Sequence, residues 1–209
     1  MREVRKQMEQ GKLFVLSGPS GAGKGTICKE IVKREGIGLS VSMTTRAPRG
    51  VEEHGRSYYF VSEEEFQRTI DEGGFLEYAN IYGNSYGTPK KPVMDYLASG
   101  RDMILEIEMQ GAFQVKTVYP DGILIFVLPP SLEELKNRLI ARGTEDEREI
   151  QKRLQATLNE IALIHEYDYY VINGDLEEAV DRVRAIIVAE HSKVDKNIGR
   201  LTRAYEEEL

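Results

Sequence analysis

Short apolar runs alternate with helix-like segments along the chain. The runs lie at residues 12–17, 103–108, 123–128 and 169–172. Unbroken apolar runs of this length are typical of strands that are buried on both faces of a parallel sheet. Helical patterns separate the runs, and the first of them covers Lys24–Glu35 and stops before a glycine. The alternation predicts an α/β fold with a central parallel sheet and crossover helices.

Two segments interrupt this alternation. Residues 42–100 contain short strand-like runs such as "RSYYFV" and a helical pattern over Ser62–Asp71 that opens with the capping box S-x-x-E. Residues 131–165 contain two charged helical patterns around "ARGTEDERE", and Pro130 followed by Ser131 is a helix start signal. The expected organisation is a core of residues 1–41, 101–130 and 166–209, with an inserted mixed-strand subdomain at 42–100 and a helical segment at 131–165. The last part of the core is expected to contain an amphipathic helix over 175–194, followed by a polar tail.

The stretch "FVLSGPSGAGKGTICKE", residues 14–30, contains the pattern of a phosphate-binding loop, or P-loop. Gly18 to Lys24 fits G-x-x-x-x-G-K between a predicted strand and a predicted helix, which is the context that the pattern requires. Glycines let backbone N–H groups converge on phosphate oxygens, and the helix adds the positive end of its dipole. A Gly-rich turn with a solvated lysine is the alternative interpretation.

The residue after the P-loop lysine departs from the pattern. It is Gly25, where a Ser or Thr hydroxyl ordinarily holds Mg²⁺, and Thr26 is the nearest hydroxyl. Because Mg²⁺ keeps several of its waters, coordination through water is compatible with this change. We expect contacts with nucleotide phosphates from Gly18, Ser20, Gly21, Ala22, Gly23, Lys24, Gly25 and Thr26.

Arginines and tyrosines in the inserted segment suit a second anion. Arg46 and Arg49 lie three apart in "SMTTRAPRG", and each guanidinium can grip two phosphate oxygens. Tyr58 and Tyr86 can donate phenolic hydroxyls to the same anion. Taken alone, an arginine pair is more often solvated and a tyrosine is more often a half-buried packing residue.

Two glutamates and three arginines are further candidates. Glu106 and Glu108 share a face at the carboxyl end of a predicted strand, where ligands bind in open α/β sheets, although pairing with Lys or Arg is the alternative. Arg138 and Arg142 lie on one helix face, and Arg153 follows on the next helix. A solvated, charged helix is the alternative for these arginines, and we adopt that interpretation for Arg148.

Composition narrows the function classes. The chain has 209 residues, 28 basic and 35 acidic side chains, and a net charge of −7. This balance argues against non-specific nucleic-acid binding, and no apolar run approaches the roughly 20 residues of a membrane-spanning helix. The charged N-terminus lacks an apolar signal core, so we expect a cytoplasmic protein. The single cysteine, Cys28, excludes an internal disulfide, is expected to be inert packing, and with three scattered histidines disfavours a zinc site.

Five motifs in this order and spacing resemble the guanylate kinase family of nucleoside monophosphate kinases. They are "SGPSGAGKGT", "SMTTRAPRGVEEHGRSYYFV", "FLEYANIYGNSYGT", "LEIEMQGA" and "RLIARGTEDE". The similarity runs from about residue 12 to about residue 190. It implies a P-loop three-layer fold, with residues 42–100 as a GMP-binding subdomain and residues 131–165 as a mobile lid. It also implies GMP and ATP as substrates and Mg²⁺ as the metal.

The resemblance assigns roles to individual residues. The GMP phosphate is gripped by residues that match Arg46, Arg49, Tyr58 and Tyr86. The guanine base is read by residues that match Ser42, Glu77 and Thr88. Glu106 and Glu108 match a pair, often aspartates in the family, near the GMP ribose and base and the metal waters. The lid arginines that close over the ATP phosphates match Arg138, Arg142 and Arg153, and Asn173 matches a position near adenine. Catalysis is expected from Lys24, Arg46 and the lid arginines.

The implied reaction is phosphoryl transfer from ATP to GMP. It needs no general base, because the acceptor phosphate, with a second pKa of about 6, is already anionic at neutral pH. A related binding module that has lost catalysis and a P-loop kinase for another acceptor are the alternatives. The intact P-loop with Lys24 counts against the first, and Glu77 with Ser42 counts against the second, although Glu77 taken alone is typical of a surface salt bridge. The oligomeric state stays open.

Overall fold

The computed structural model describes residues 10–81, 83–142, 147–194, 202–203 and 205–207, and of Arg142 it describes the backbone alone. Most of the predicted polar tail, residues 195–209, and residues 143–146 lie outside the described residues. In the described part, no helix is both long enough and apolar enough to cross a membrane.

A five-stranded parallel sheet forms the centre of the molecule, with the strand order β2-β7-β1-β8-β9. Its strands are β1 (Leu13–Ser17), β2 (Gly38–Leu39), β7 (Met103–Glu106), β8 (Ile123–Leu128) and β9 (Tyr169–Ile172). The four apolar runs predicted as strands are confirmed. The run predicted at 103–108 is shorter than expected, because β7 ends at Glu106 and Glu108 already caps the next helix.

The helices in the described residues are α1 (Lys24–Glu35), α2 (Glu63–Asp71), α3 (Lys90–Ala98), α4 (Met109–Val118), α5 (Leu132–Arg142), α6 (Glu147–Ile161), α7 (Leu176–Glu190) and a short 3₁₀ turn, Ile164–Glu166. The predicted bounds of α1 are confirmed at both ends. Gly23 and Gly36 flank α1 with left-handed backbone, which ends regular helix without steric cost.

Helices cover both faces of the central sheet, because side chains along a strand point alternately to opposite faces. Phe14 and Leu16 of β1 join one apolar cluster with residues of α1 and α7. Leu13 and Val15 join a second cluster with residues of α3 and α4. All four β1 side chains are fully buried. The result is the expected three-layer α/β fold, with β1 leading its loop out of the middle of the sheet.

A second, mixed sheet lies in the inserted segment, with the order β4-β3-β6-β5. Its strands are β3 (Met43–Thr44), β4 (Tyr59–Phe60), β5 (Phe75–Ile81) and β6 (Asn84–Pro89). The cap of α2 is confirmed, since the Ser62 hydroxyl accepts from the Glu65 N–H at 3.2 Å. Helix α3 also falls in the 42–100 segment, but its Val93 and Leu97 pack on the central sheet.

Helices α5 and α6 pack on each other through a small apolar cluster that includes Leu135, Leu139 and Ile150. The predicted cap of α5 is confirmed, because the Ser131 hydroxyl accepts from the Glu134 N–H at 3.0 Å. Helix α5 also contacts the P-loop: a Cβ on Gly21 would lie 2.7 Å from a methyl carbon of Leu135. The 131–165 segment therefore rests directly on the loop after β1.

Candidate active site

The P-loop follows β1 and wraps over the start of α1. Gly23 has φ of +92°, and a Cβ there would lie 2.2 Å from the side-chain nitrogen of Asn173, so only glycine fits. The Asn173 amide in turn donates to the Ala22 carbonyl at 2.8 Å. Sequence reasoning expected Asn173 near adenine. In the structure its side chain is buried beneath the loop and braces the loop backbone.

Lys24 is buried, and its ammonium group is held by the P-loop itself. Nζ donates to the carbonyl of Gly18 at 2.5 Å and to that of Pro19 at 3.2 Å. The carboxylate of Glu108 lies 4.0 Å from the same nitrogen. The cation is therefore fixed inside the loop, at the point where phosphate oxygens meet backbone N–H groups in such loops.

Glu106 and Gly25 face each other across the start of α1. A Cβ on Gly25 would lie 3.0 Å and 3.2 Å from the two carboxylate oxygens of Glu106. Burial raises the pKa of Glu106, Lys24 opposes this rise, and the nearby charge of Glu108 adds to it. Thr26 is exposed one residue further along. These carboxylate and hydroxyl oxygens are the hard donors that Mg²⁺ prefers, directly or through water. Within the described ranges, no group of three or more His, Cys, Asp or Glu side chains is arranged to hold a metal ion.

A single cleft of about 700 Å³ brings most of the predicted residues together. Its P-loop side is lined by Ser20, Gly21, Gly23, Lys24, Gly25 and Thr26. Its other sides are lined by Ser42, Tyr58, Glu77, Tyr86, Glu106 and Glu108. The P-loop and the mixed sheet thus face one another across a shared space.

Glu77 forms a buried acceptor on the mixed-sheet side of the cleft. It pairs with Thr88 in the register of β5 and β6, and the Thr88 hydroxyl donates to Glu77 Oε1 at 2.6 Å. Glu77 is only 8% exposed. Its burial raises the pKa of its carboxyl group, and the hydrogen bonds from Thr88 oppose this rise. Gly111 leaves room on the other side of the Glu77 carboxylate, because a Cβ at position 111 would lie 2.9 Å from Oε2. Ser42 lines the cleft nearby.

Arg46 is held by a residue that sequence reasoning missed. Its guanidinium makes two hydrogen bonds with the Glu52 carboxylate, at 2.9 Å and 3.0 Å, and lies over the Tyr58 ring at 5.4 Å from the centroid. Arg46 lowers the pKa of Glu52, and the backbone N–H of Arg49 lowers it further. The neighbouring Tyr86 hydroxyl, after Glu52, helps to raise the pKa of Arg46. The structure therefore gathers the four predicted phosphate-grip residues, although the Arg49 side chain is exposed.

Arginines of the 131–165 segment contact the P-loop and the residue beneath it. Arg153 donates to the Ser20 hydroxyl at 2.8 Å, and Arg138 donates to the Asn173 carbonyl at 2.9 Å. The side chain of Arg142 lies outside what the structure describes. Arg148 is exposed, as predicted. Two of the three predicted lid arginines thus contact either the P-loop itself, at Ser20, or the residue that braces it, Asn173.

Three residues beside the cleft were not singled out from the sequence. Lys29 lines the cleft from α1. Glu160, on α6, has a buried carboxylate oxygen without a hydrogen-bond partner in the described residues, and burial and then the charge of Glu108 raise its pKa. Tyr167 donates to the Ser17 hydroxyl at 3.0 Å, and burial raises its pKa to about 12. No spacing marks Glu160 or Tyr167, because their positions depend on how α6 and the following turn dock.

The chain is similar to known proteins over most of its length. A family model of guanylate kinase matches residues 10–190. The guanylate kinase of Clostridioides difficile (strain 630) is 52% identical over 203 residues, which span 97% of this chain and 99% of that protein. The guanylate kinase of Caldanaerobacter subterraneus subsp. tengcongensis is 53% identical over 190 residues, or 90% and 92% of the two chains. The crystal structure of guanylate kinase from Anaplasma phagocytophilum has a TM-score of 0.70 and 37% identity, and covers 89% of each chain. A family match over most of the length, with about half of the residues identical in curated relatives, means that this chain belongs to the guanylate kinase family.

Proposed function

We propose that the protein transfers the γ-phosphoryl group of ATP to GMP, giving ADP and GDP. The observation that carries the proposal is that the P-loop with Lys24 and the buried Glu77 carboxylate, which accepts a hydrogen bond from Thr88, line one cleft. The first feature suits a nucleoside triphosphate, and the second suits a base that donates hydrogen bonds. Nucleotide phosphorylation is the activity for which the related enzymes are named.

Glu77 supports guanine as the acceptor base. Guanine presents two adjacent donors, N1–H and the 2-amino group, which a carboxylate can accept together. Adenine has an acceptor at N1 and no 2-amino group, so it would leave a desolvated carboxylate unpaired. A site built to pair a buried polar group rejects a partner that lacks the matching atoms by a large factor. Thr88 orients the carboxylate, and Ser42 is a further candidate contact.

Arg46, Arg49, Tyr58 and Tyr86 would receive the GMP phosphate. Arg46 is already aligned by Glu52, so little side-chain entropy is lost when the phosphate arrives. The acceptor oxygen is anionic at neutral pH, so its attack on the γ-phosphorus needs positioning and charge neutralisation rather than a base. Lys24 and the arginines would offset the repulsion between the two anions.

A metal ion and a closing lid complete the proposal. Members of this family use ATP and typically a metal ion; we propose Mg²⁺, held near Thr26, Glu106 and Glu108 through its waters. When bound, the metal would neutralise charge on the ATP phosphates. We further propose that the 42–100 and 131–165 segments close on the core to exclude water, with Arg138, Arg142 and Arg153 over the phosphates. A cytoplasmic location and independence of nucleic acid stay predictions.

A coupled assay of ADP release tests the proposal. The enzyme is supplied with ATP, Mg²⁺ and one of GMP, AMP, CMP or UMP. Turnover with GMP far above that with the others is expected, whereas equal turnover with AMP would refute the guanine assignment. Lys24→Ala should abolish turnover and leave GMP affinity, measured by calorimetry, nearly unchanged. If the unmodified protein binds GMP but shows no turnover, the proposed kinase activity is wrong and the protein is a binding module.

A further inference from the structure

The departure of the P-loop from its pattern, Gly25, lies against the carboxylate of Glu106, which a side chain at position 25 would crowd. A Cβ on Gly25 would meet Glu106 at 3.0 Å from Oε1, 3.2 Å from Oε2 and 3.4 Å from Cδ. A Ser or Thr would extend still further, toward a carboxylate that already occupies this space. The two residues are therefore matched in volume: the loop lacks a side chain where the neighbouring strand supplies a long one.

The backbone explains how Glu106 reaches this place. Glu106 is the last residue of β7, and it pairs with Leu16 near the end of β1, just before the P-loop. Its carboxylate extends from there to the first turn of α1, where the helix dipole favours negative charge. The charge of Glu106 contributes to the raised pKa of Cys28 in α1, and the charges of Lys24 and Lys29 lower the pKa of Glu106.

Ion pairing with Lys24 does not account for Glu106. The Lys24 ammonium donates to two loop carbonyls, and its nearest carboxylate is Glu108 at 4.0 Å. Within the residues that the structure describes, no hydrogen bond or ion pair engages the Glu106 carboxylate, which lines the cleft. Its oxygens are thus available to a ligand on the cleft side of Gly25.

We propose that Glu106 supplies the metal-side oxygen that position 25 lacks, and that Gly25 and Glu106 form an exchangeable pair. This inference rests on the proposed phosphotransfer, in which a divalent ion accompanies ATP. A hydroxyl at position 25 with a shorter acid at position 106 is the equivalent solution. The first change alone would crowd the Glu106 carboxylate and displace it, and the second alone would leave a gap beside Gly25.

The test is a double-mutant cycle on Gly25→Ser and Glu106→Asp. The readout is the affinity of Mn²⁺ for the enzyme–ADP complex, measured by electron spin resonance, beside the thermal midpoint of each variant. Each single change should weaken Mn²⁺ binding by about 10-fold, and the double variant should recover to within about 3-fold of the parent, because residues in contact couple. Glu108→Asp, combined with Gly25→Ser, is the matched control, and its effects should simply add.

Glu106→Gln keeps the shape of the side chain and removes its charge, so it serves if a packing variant unfolds. It should lower Mn²⁺ affinity by about 10-fold without lowering the thermal midpoint, since contacts to the charged oxygens are the ones lost. Additive effects in the Gly25–Glu106 cycle, or unchanged Mn²⁺ affinity in Glu106→Gln, would overturn the inference. Failure of the parent enzyme to phosphorylate GMP would instead overturn the proposed function, because Mn²⁺ binding to the ADP complex is measured without an acceptor.

Discussion

Replacing Glu77 by glutamine should weaken GMP recognition and stabilise the fold at the same time. The variant keeps an oxygen that can accept from the Thr88 hydroxyl, at 2.6 Å in the parent. Its new amide N–H₂ would face the N–H donors of guanine. Hydrogen bonds to a charged group contribute about 1.5–3 kcal/mol, so the KM for GMP should rise by roughly 10- to 150-fold and the preference over AMP should narrow.

The effect on stability has the opposite sign. Burial of the 8% exposed Glu77 raises its pKa above the ordinary value of 4.5, so the folded protein favours the neutral acid. As pH rises, the Glu77 carboxyl group loses its proton in the unfolded chain before it does so in the folded protein. Between the ordinary pKa and the raised pKa, the free energy of unfolding of the parent therefore falls. Glutamine does not titrate. The advantage of Glu77→Gln should therefore be smallest below pH 4.5 and largest above the raised pKa.

The assay pairs steady-state kinetics, with GMP and AMP as acceptors, with urea unfolding at several pH values from 4 to 8. Glu72→Gln, at an exposed position at the end of α2 in the same subdomain, is the matched control and should change neither measurement. A Glu77→Gln variant that is less stable at neutral pH than at pH 4, relative to the parent, would refute the sign of the reasoning. An unchanged KM for GMP would refute the role of the carboxylate.

Three further predictions use features away from the guanine pocket. Ser62→Ala removes the cap that accepts from the Glu65 N–H, so urea unfolding should show a loss of about 1 kcal/mol with kcat unchanged. Burial raises the pKa of Cys28 to about 12, so a thiol reagent at pH 8 should leave the native protein unmodified and react fully in urea; native reactivity would contradict this burial. Ser20→Ala removes the hydroxyl that Arg153 contacts at 2.8 Å, and the loss of about 1 kcal/mol should raise the KM for ATP about 5-fold but leave that for GMP unchanged.

Most of the framework could be predicted from local patterns. Continuous apolar runs located four strands of the central sheet, because a strand buried on both faces has no polar alternation to obscure it. Strand β2 was not predicted, since two residues, Gly38–Leu39, carry no pattern. No helix is predicted at residues 90–98, which fall in the inserted segment, and the packing of α3 on the central sheet through Val93 and Leu97 depends on their placement in three dimensions.

Much of the cleft could be predicted only through the family resemblance. Glu77 and Thr88 are eleven residues apart, and their contact depends on the register of a hairpin that composition does not determine. Glu52 had no signal at all, because its pairing with Arg46 arises from the path of an irregular loop. Glu160 faces the site only because α6 docks over the P-loop. Long-range placement, rather than residue type, gives these residues their surroundings.

The brace under the P-loop has a consequence for how the protein is made. Ala22 receives its hydrogen bond from Asn173, 151 residues later in the chain. On the ribosome, the phosphate-binding sequence therefore emerges well before the residue that supports it. Strands β7 and β8, which flank β1, also arrive long after it. Until these later segments have been made, the nascent chain carries the complete motif without the supports that make the loop rigid, so the order of synthesis disfavours premature capture of nucleotide.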